Sequence, residues 1–71
     1  MDRRRVTSRI AGNVRSAIDA AGVSVHTVAE AADITSTDLI DRLDGRVEFE
    51  VDVLRGVGGF LRVPVTQLLE A

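Results

Sequence analysis

The sequence predicts an all-α domain of five helices and no strand, and three observations predict it. Apolar residues recur at spacings of three and four along most of the chain. Helix-closing and helix-opening residues, Gly22 with Ser24 and Gly45 with Thr35, divide that pattern into short segments. The chain has 71 residues and no cysteine, so packed helices rather than disulfides or thiolate metal sites must carry its stability.

Residues 1–8, MDRRRVTS, read as a flexible basic N-terminal arm, and residues 9–71 as one domain. A first helix follows the arm, with Ile10, Val14, Ala17, Ile18 and Ala21 in a single apolar stripe. Thr7 or Asp2 is its expected N-cap and Gly22 its C′ residue. Ser24 caps a second helix, Val25 to Ala32, whose apolar face is Val28, Ala29 and Ala32. Asp33 marks a corner, Ile34 follows it as a buried residue, and Thr35 caps a third helix with Leu39 and Leu43 turned inward. Thr35 with Asp38 is a shortened capping box, Asp taking the place of Glu or Gln. Gly45 ends that helix.

Residues 44–50, DGRVEFE, form a charged connection. Phe49 precedes a fourth helix that starts near Glu50 and is expected to staple onto Leu54. Its buried stripe is Val51, Leu54, Val57 and Leu61. Gly56, Gly58 and Gly59 each cost it about 0.8–1.0 kcal/mol relative to Ala. That makes it the least stable helix, and Gly58 is expected to admit close approach of the second and third helices. Pro64 opens a short last helix through Leu68 and Leu69.

Charge is unevenly placed. The net charge is −2, yet residues 1–15 carry Arg3, Arg4, Arg5, Arg9 and Arg15 against Asp2 alone. From Asp19 to Asp41 there are five acids and no arginine or lysine. A basic arm on an acidic body points to a nucleic-acid partner. All nine basic residues are arginine, which suggests a GC-rich genome. No apolar run reaches the roughly 20 residues of a membrane span and the N-terminus lacks a signal-peptide core, so a cytoplasmic, nucleoid-associated protein is expected.

Two short helices joined by a three- or four-residue turn make a helix-turn-helix, whose second helix can enter the DNA major groove. GVSVHTVAEAADITSTDLIDRLDG, followed by VDVLRGVGGFLRVPVTQLL, resembles the Cro/phage-repressor class, the lambda-repressor-like fold, from about Asn13 to Leu69. Ala29 stands where that class has a small residue facing the partner helix, Ile34 where it has an aliphatic after the corner, and Leu39 at the recognition-helix core position. Gly45 follows the helix as in the class, and VPVTQLL matches its closing helix.

The resemblance implies a DNA-binding transcriptional regulator of phage, prophage or bacterial origin that acts by occupying an operator. Arg3, Arg4 and Arg5 of the arm, His26 in the first turn of helix two, and Thr35, Arg42 and Arg46 at helix ends would face phosphates. Ser36, Thr37, Ile40 and Asp41 would face bases. Two departures stand out. Asp33 replaces the usual corner glycine, and the outward face of helix three offers hydroxyls and carboxylates where the class has Arg, Lys, Gln or Asn. A carboxylate accepts from the cytosine amino group and is otherwise repelled by phosphate.

The implied partner is double-stranded DNA, bound in pairs through a weak homodimer contact at Leu68 and Leu69. The alternative reading is a protein-interaction module on the same scaffold, an antirepressor or host-factor binder whose acidic third helix meets a basic partner. No enzyme is expected: one histidine, no cysteine and no glycine-rich phosphate loop leave no nucleophile–base pair or P-loop. No cofactor, small-molecule ligand or metal is expected either, because Glu48, Glu50 and Asp52 lack the EF-hand spacing and read as carboxylates beside a helix start.

Overall fold

The structure is a computed structural model and describes the backbone of residues 3–70 and the side chains of residues 9–70. Among these residues the chain forms five helices and no strand: α1 (Arg3–Ala21), α2 (Val25–Ala31), α3 (Ser36–Leu43), α4 (Val51–Leu61) and α5 (Val65–Leu68). The expected boundary at residue 8 is not a break in the backbone, because α1 already begins at Arg3. Thr7 therefore lies inside the helix and does not cap it. Asp2, the other expected cap, lies outside the described residues, as do the side chains of the arm.

The short helices start as their sequence dictates. The Ser24 hydroxyl accepts from the Thr27 N–H at 3.1 Å and the Thr35 hydroxyl from the Asp38 N–H at 3.0 Å. Each supplies a partner for an N–H that the first helical turn leaves unbonded. Only half of the expected capping box forms, because the Asp38 carboxylate turns to the Arg42 Nε at 2.8 Å instead.

Helix ends are equally local. At the corner, Asp33 adopts φ 61°, its N–H donates to the Glu30 carbonyl, and the Ile34 N–H reaches the Ala29 carbonyl at 3.0 Å. That is a Schellman motif with aspartate at the left-handed position, which Asp occupies more readily than most residues. Gly45, at φ 82°, ends α3 in the same manner, with the Arg46 N–H on the Asp41 carbonyl at 2.9 Å. Arg62, at φ 58°, ends α4, a left-handed residue that nothing in the sequence announces.

The core gathers Val14 and Ile18 of α1, Val28 and Ala29 of α2, Leu39 and Leu43 of α3, Val53, Leu54 and Val57 of α4, and Leu68 of α5. A fully buried side chain of this size contributes about 1.5–3 kcal/mol. α1 packs across α3, α4 and α5, while α2 sits between α3 and α4. Phe49 and Ile34 pack against this core, half-buried.

Two expected positions shift. In α1, Ala11 is buried and Ala21 is exposed. In α4, Val53 is buried whereas Val51, in the first helical position, is 54% exposed. The inward set of α4 is thus 53, 54, 57, 58 and 61, a regular helical stripe.

The glycines of α4 divide the expected role. A Cβ on Gly56 would stand 3.0 Å from Ala32 Cα, at the end of α2, so Gly56 is the residue that admits the α2–α3 pair. Gly58 lies instead against the turn into α5, where a Cβ would meet the Val63 carbonyl oxygen at 2.6 Å. α5 is then drawn onto α1 by Asn13, whose Nδ2 donates to the Leu68 carbonyl at 2.9 Å and also to the Glu70 carbonyl.

Candidate functional site

The surface of interest is formed by the start of α2, the outward side of α3 and the loop that follows it. Thr37 and Ile40 are exposed there, Ile40 to 46%, and Ser36 and Asp41 are half-buried. Thr35 is exposed, with its hydroxyl held by the capping bond described above.

Every acid of α3 and its end has an arginine beside it. Asp38 accepts from Arg42, Asp41 stands 3.7 Å from Arg46, and Asp44 stands 3.6 Å from Arg15 of α1. The latter two pairs are open to water and each contributes no more than about 1 kcal/mol. Their consequence is electrostatic: the carboxylates at this surface are accompanied by cations rather than standing alone.

Arg42 is not where the sequence suggested. It is 7% exposed, and its guanidinium is spent on the Asp38 carboxylate, the Glu48 carbonyl and, at 3.7 Å, the Glu50 carboxylate. The i, i+4 spacing from Asp38 turns it along the inner flank of α3, and the loop before α4 closes over it. It ties α3 to the start of α4, and its guanidinium is turned away from the surface that carries the other candidate residues. Glu50, the N-cap residue of α4, makes no capping bond with its side chain and faces Arg42 instead.

His26 has partners that a single exposed histidine does not suggest. Its Nδ1 lies 2.9 Å from the Ser36 hydroxyl and its Nε2 2.7 Å from a Glu30 carboxylate oxygen. The ring therefore bridges the first turns of α2 and α3 across the corner, while 72% of its side chain remains exposed.

The structure thus brings His26, Ser36, Thr37, Ile40, Asp41 and Arg46 to one region and removes Arg42 from it. The side chains of Arg3, Arg4 and Arg5 lie outside the described residues. Leu68, expected at a dimer contact, is a core residue at 1% exposure, whereas Leu69 is 48% exposed. A groove of about 510 Å³ runs between α1, the end of α4 and α5, floored by Ala17, Leu61, Val63 and Leu68, and none of the candidate DNA-contacting residues lines it.

No protein-family model, curated protein or solved structure matches the chain. What the coordinates establish is a small all-helical domain of five helices. No helix among the described residues is long and apolar enough to cross a membrane, and none of their His, Asp and Glu side chains cluster in threes around a possible ion.

Glu30 and Arg15 belong to this surface and were absent from the sequence candidates. Glu30 was findable, since it stands four residues after His26 on one helical face. Arg15 was not, because its partner Asp44 is brought to it only by the packing of α1 on α3.

Proposed function

We propose that this domain is a sequence-specific DNA-binding regulator in which α2 and α3 act as a helix-turn-helix of the Cro/phage-repressor type. The observation that carries the reading is the pairing of the two acids of α3, and of Asp44 at its C-cap, with arginines. It answers the main objection raised by the sequence, that a carboxylate-bearing third helix would be repelled by phosphate. What then faces outward from α3 is hydrogen-bonding and apolar: Ser36, Thr37 and Ile40, the last suited to a thymine methyl. Arg46 and the arm arginines Arg3, Arg4 and Arg5 supply the phosphate contacts, and occupancy of an operator is the regulatory act. Two copies bound about one helical turn apart would give the specificity that one small domain lacks. Leu69, not Leu68, is the leucine free to meet the second copy.

The test is a titration against randomised duplex DNA at several salt concentrations. Four arginines on phosphates give a log–log slope of about −3 to −4. Replacing Arg3, Arg4 and Arg5 with Gln, which keeps the helical backbone of the arm, should flatten it by up to about three units. Binding with no salt dependence, or no binding at all, overturns the proposal.

One observation favours a second reading, a protein-interaction module. Ile40 and Val47 are exposed to 46% and 39% beside Asp41, whose carbonyl accepts from the Val47 N–H. An apolar pair with a carboxylate between suits a basic, apolar protein surface. Asp41→Asn separates the two: it raises affinity for random DNA in the first reading, and in the second DNA binding is absent with or without it.

A further inference from the structure

The bridge made by His26 has a directional property that follows from the chemistry of its three members. A carboxylate only accepts hydrogen bonds. With Glu30 at 2.7 Å from Nε2, that nitrogen must carry a proton in the neutral ring, so Nδ1 is the bare nitrogen. The partner of Nδ1 at 2.9 Å is the Ser36 hydroxyl, which must then donate to it. Ser36 keeps only lone pairs for anything outside the protein. In the imidazolium both nitrogens carry protons, Nδ1 donates to Ser36, and the hydroxyl proton is released to point outward. The heavy atoms keep their places while the polarity of the bond reverses.

We infer that His26 is a specificity-determining residue that sets whether Ser36 offers an acceptor or a donor to a DNA base. This rests on the DNA-binding reading above. Ser36 is the first residue of α3, and the opening residues of a recognition helix are those that reach base edges. As an acceptor it selects the amino groups of cytosine or adenine. As a donor it selects guanine N7 or O6, thymine O4 or adenine N7, so cytosine, which offers only a donor, is the base that tells the two states apart.

Among the described residues, two groups bond the ring. Glu30 comes from its own helix and Ser36 from α3. The neighbouring acids of α3, Asp38 and Asp41, stand beside Arg42 and Arg46, and Asp52 and Arg55 of α4 make no hydrogen bond or ion pair with the ring.

Two measurements on the full chain test the inference. Long-range nitrogen–proton correlation spectra at about pH 8, which also report whether the ring is neutral, should show His26 with Nε2 protonated and Nδ1 bare. Glu30→Gln, whose amide both donates and accepts, should give a mixture of tautomers. An Nδ1–H tautomer in the unaltered protein overturns the inference without reference to DNA.

The second is selection from randomised duplexes at about pH 5 and about pH 8, with the same spectra reporting the charge of the ring at each. One position should move from cytosine at the higher pH toward guanine or thymine at the lower, by roughly fivefold or more, with adenine, which offers both a donor and an acceptor, little changed. His26→Gln should make that preference independent of pH, and Ser36→Ala, a change at a single hydroxyl, should abolish it. Enrichment with the same preference at both pH values overturns the inference and leaves the DNA-binding reading intact. No enrichment at either pH overturns the reading, and the inference with it.

Discussion

Arg42 shows most clearly how one side chain in this domain is committed. Its guanidinium joins a carboxylate on its own helix, a loop carbonyl and the N-cap residue of α4. Truncating it leaves Asp38 and the Glu48 carbonyl without that partner in a half-buried region. Arg42→Ala is expected to lower stability by about 2–4 kcal/mol in urea titration, a large share of what a domain this small possesses. Asp41→Asn, in contrast, disturbs an ion pair whose arginine is 74% exposed and should change stability by less than about 1 kcal/mol. A large loss there would show that Asp41 is structural. Arg62 is a third case. It holds a left-handed conformation that costs a side-chain-bearing residue roughly 1–2 kcal/mol, and Arg62→Gly should recover up to about 1 kcal/mol of that in a thermal melt.

Among the elements, α4 is where local preference and packing pull apart. Its three glycines look alike in sequence and differ in surroundings. Gly59 has nothing within 4 Å of a new Cβ, so Gly59→Ala should stabilise the domain by about 0.5–1 kcal/mol. Gly58→Ala places a methyl 2.6 Å from a backbone carbonyl and should destabilise it by more than that gain. Paired melting curves decide the matter, and equal effects at both sites would refute the assignment. The starts and ends of α2 and α3 were legible beforehand because the residues that make them, Ser24, Asp33, Thr35 and Gly45, act on backbone groups within a few positions of themselves. In α4 only the first position of the stripe was misplaced, Val51 for Val53, because the first turn hangs beyond the core, and only the packing of α2 and α5 fixes where the core stops. The same division holds for the candidate surface. Thr37 and Ile40 could be placed from helical spacing alone. The burial of Arg42 and the partnership of Arg15 with Asp44 depend on a loop and a helix that no local pattern positions.

At the scale of the molecule, the chain closes on itself through a single amide. Asn13 holds the carbonyls of Leu68 and Glu70, across separations of 55 and 57 residues. Asn13→Ala removes both bonds and should cost about 1–3 kcal/mol, read as a lower urea midpoint with little change in its slope. An unchanged midpoint would show that α5 is held by its apolar face alone. This clasp also sets an order of events during synthesis. α1 leaves the ribosome before α5, but its amide has no carbonyl to hold until residues 68–70 have emerged. A nascent chain arrested before that point would present the groove side of α1 uncovered, and resistance to protease should arrive in one step with residues 68–70 rather than helix by helix.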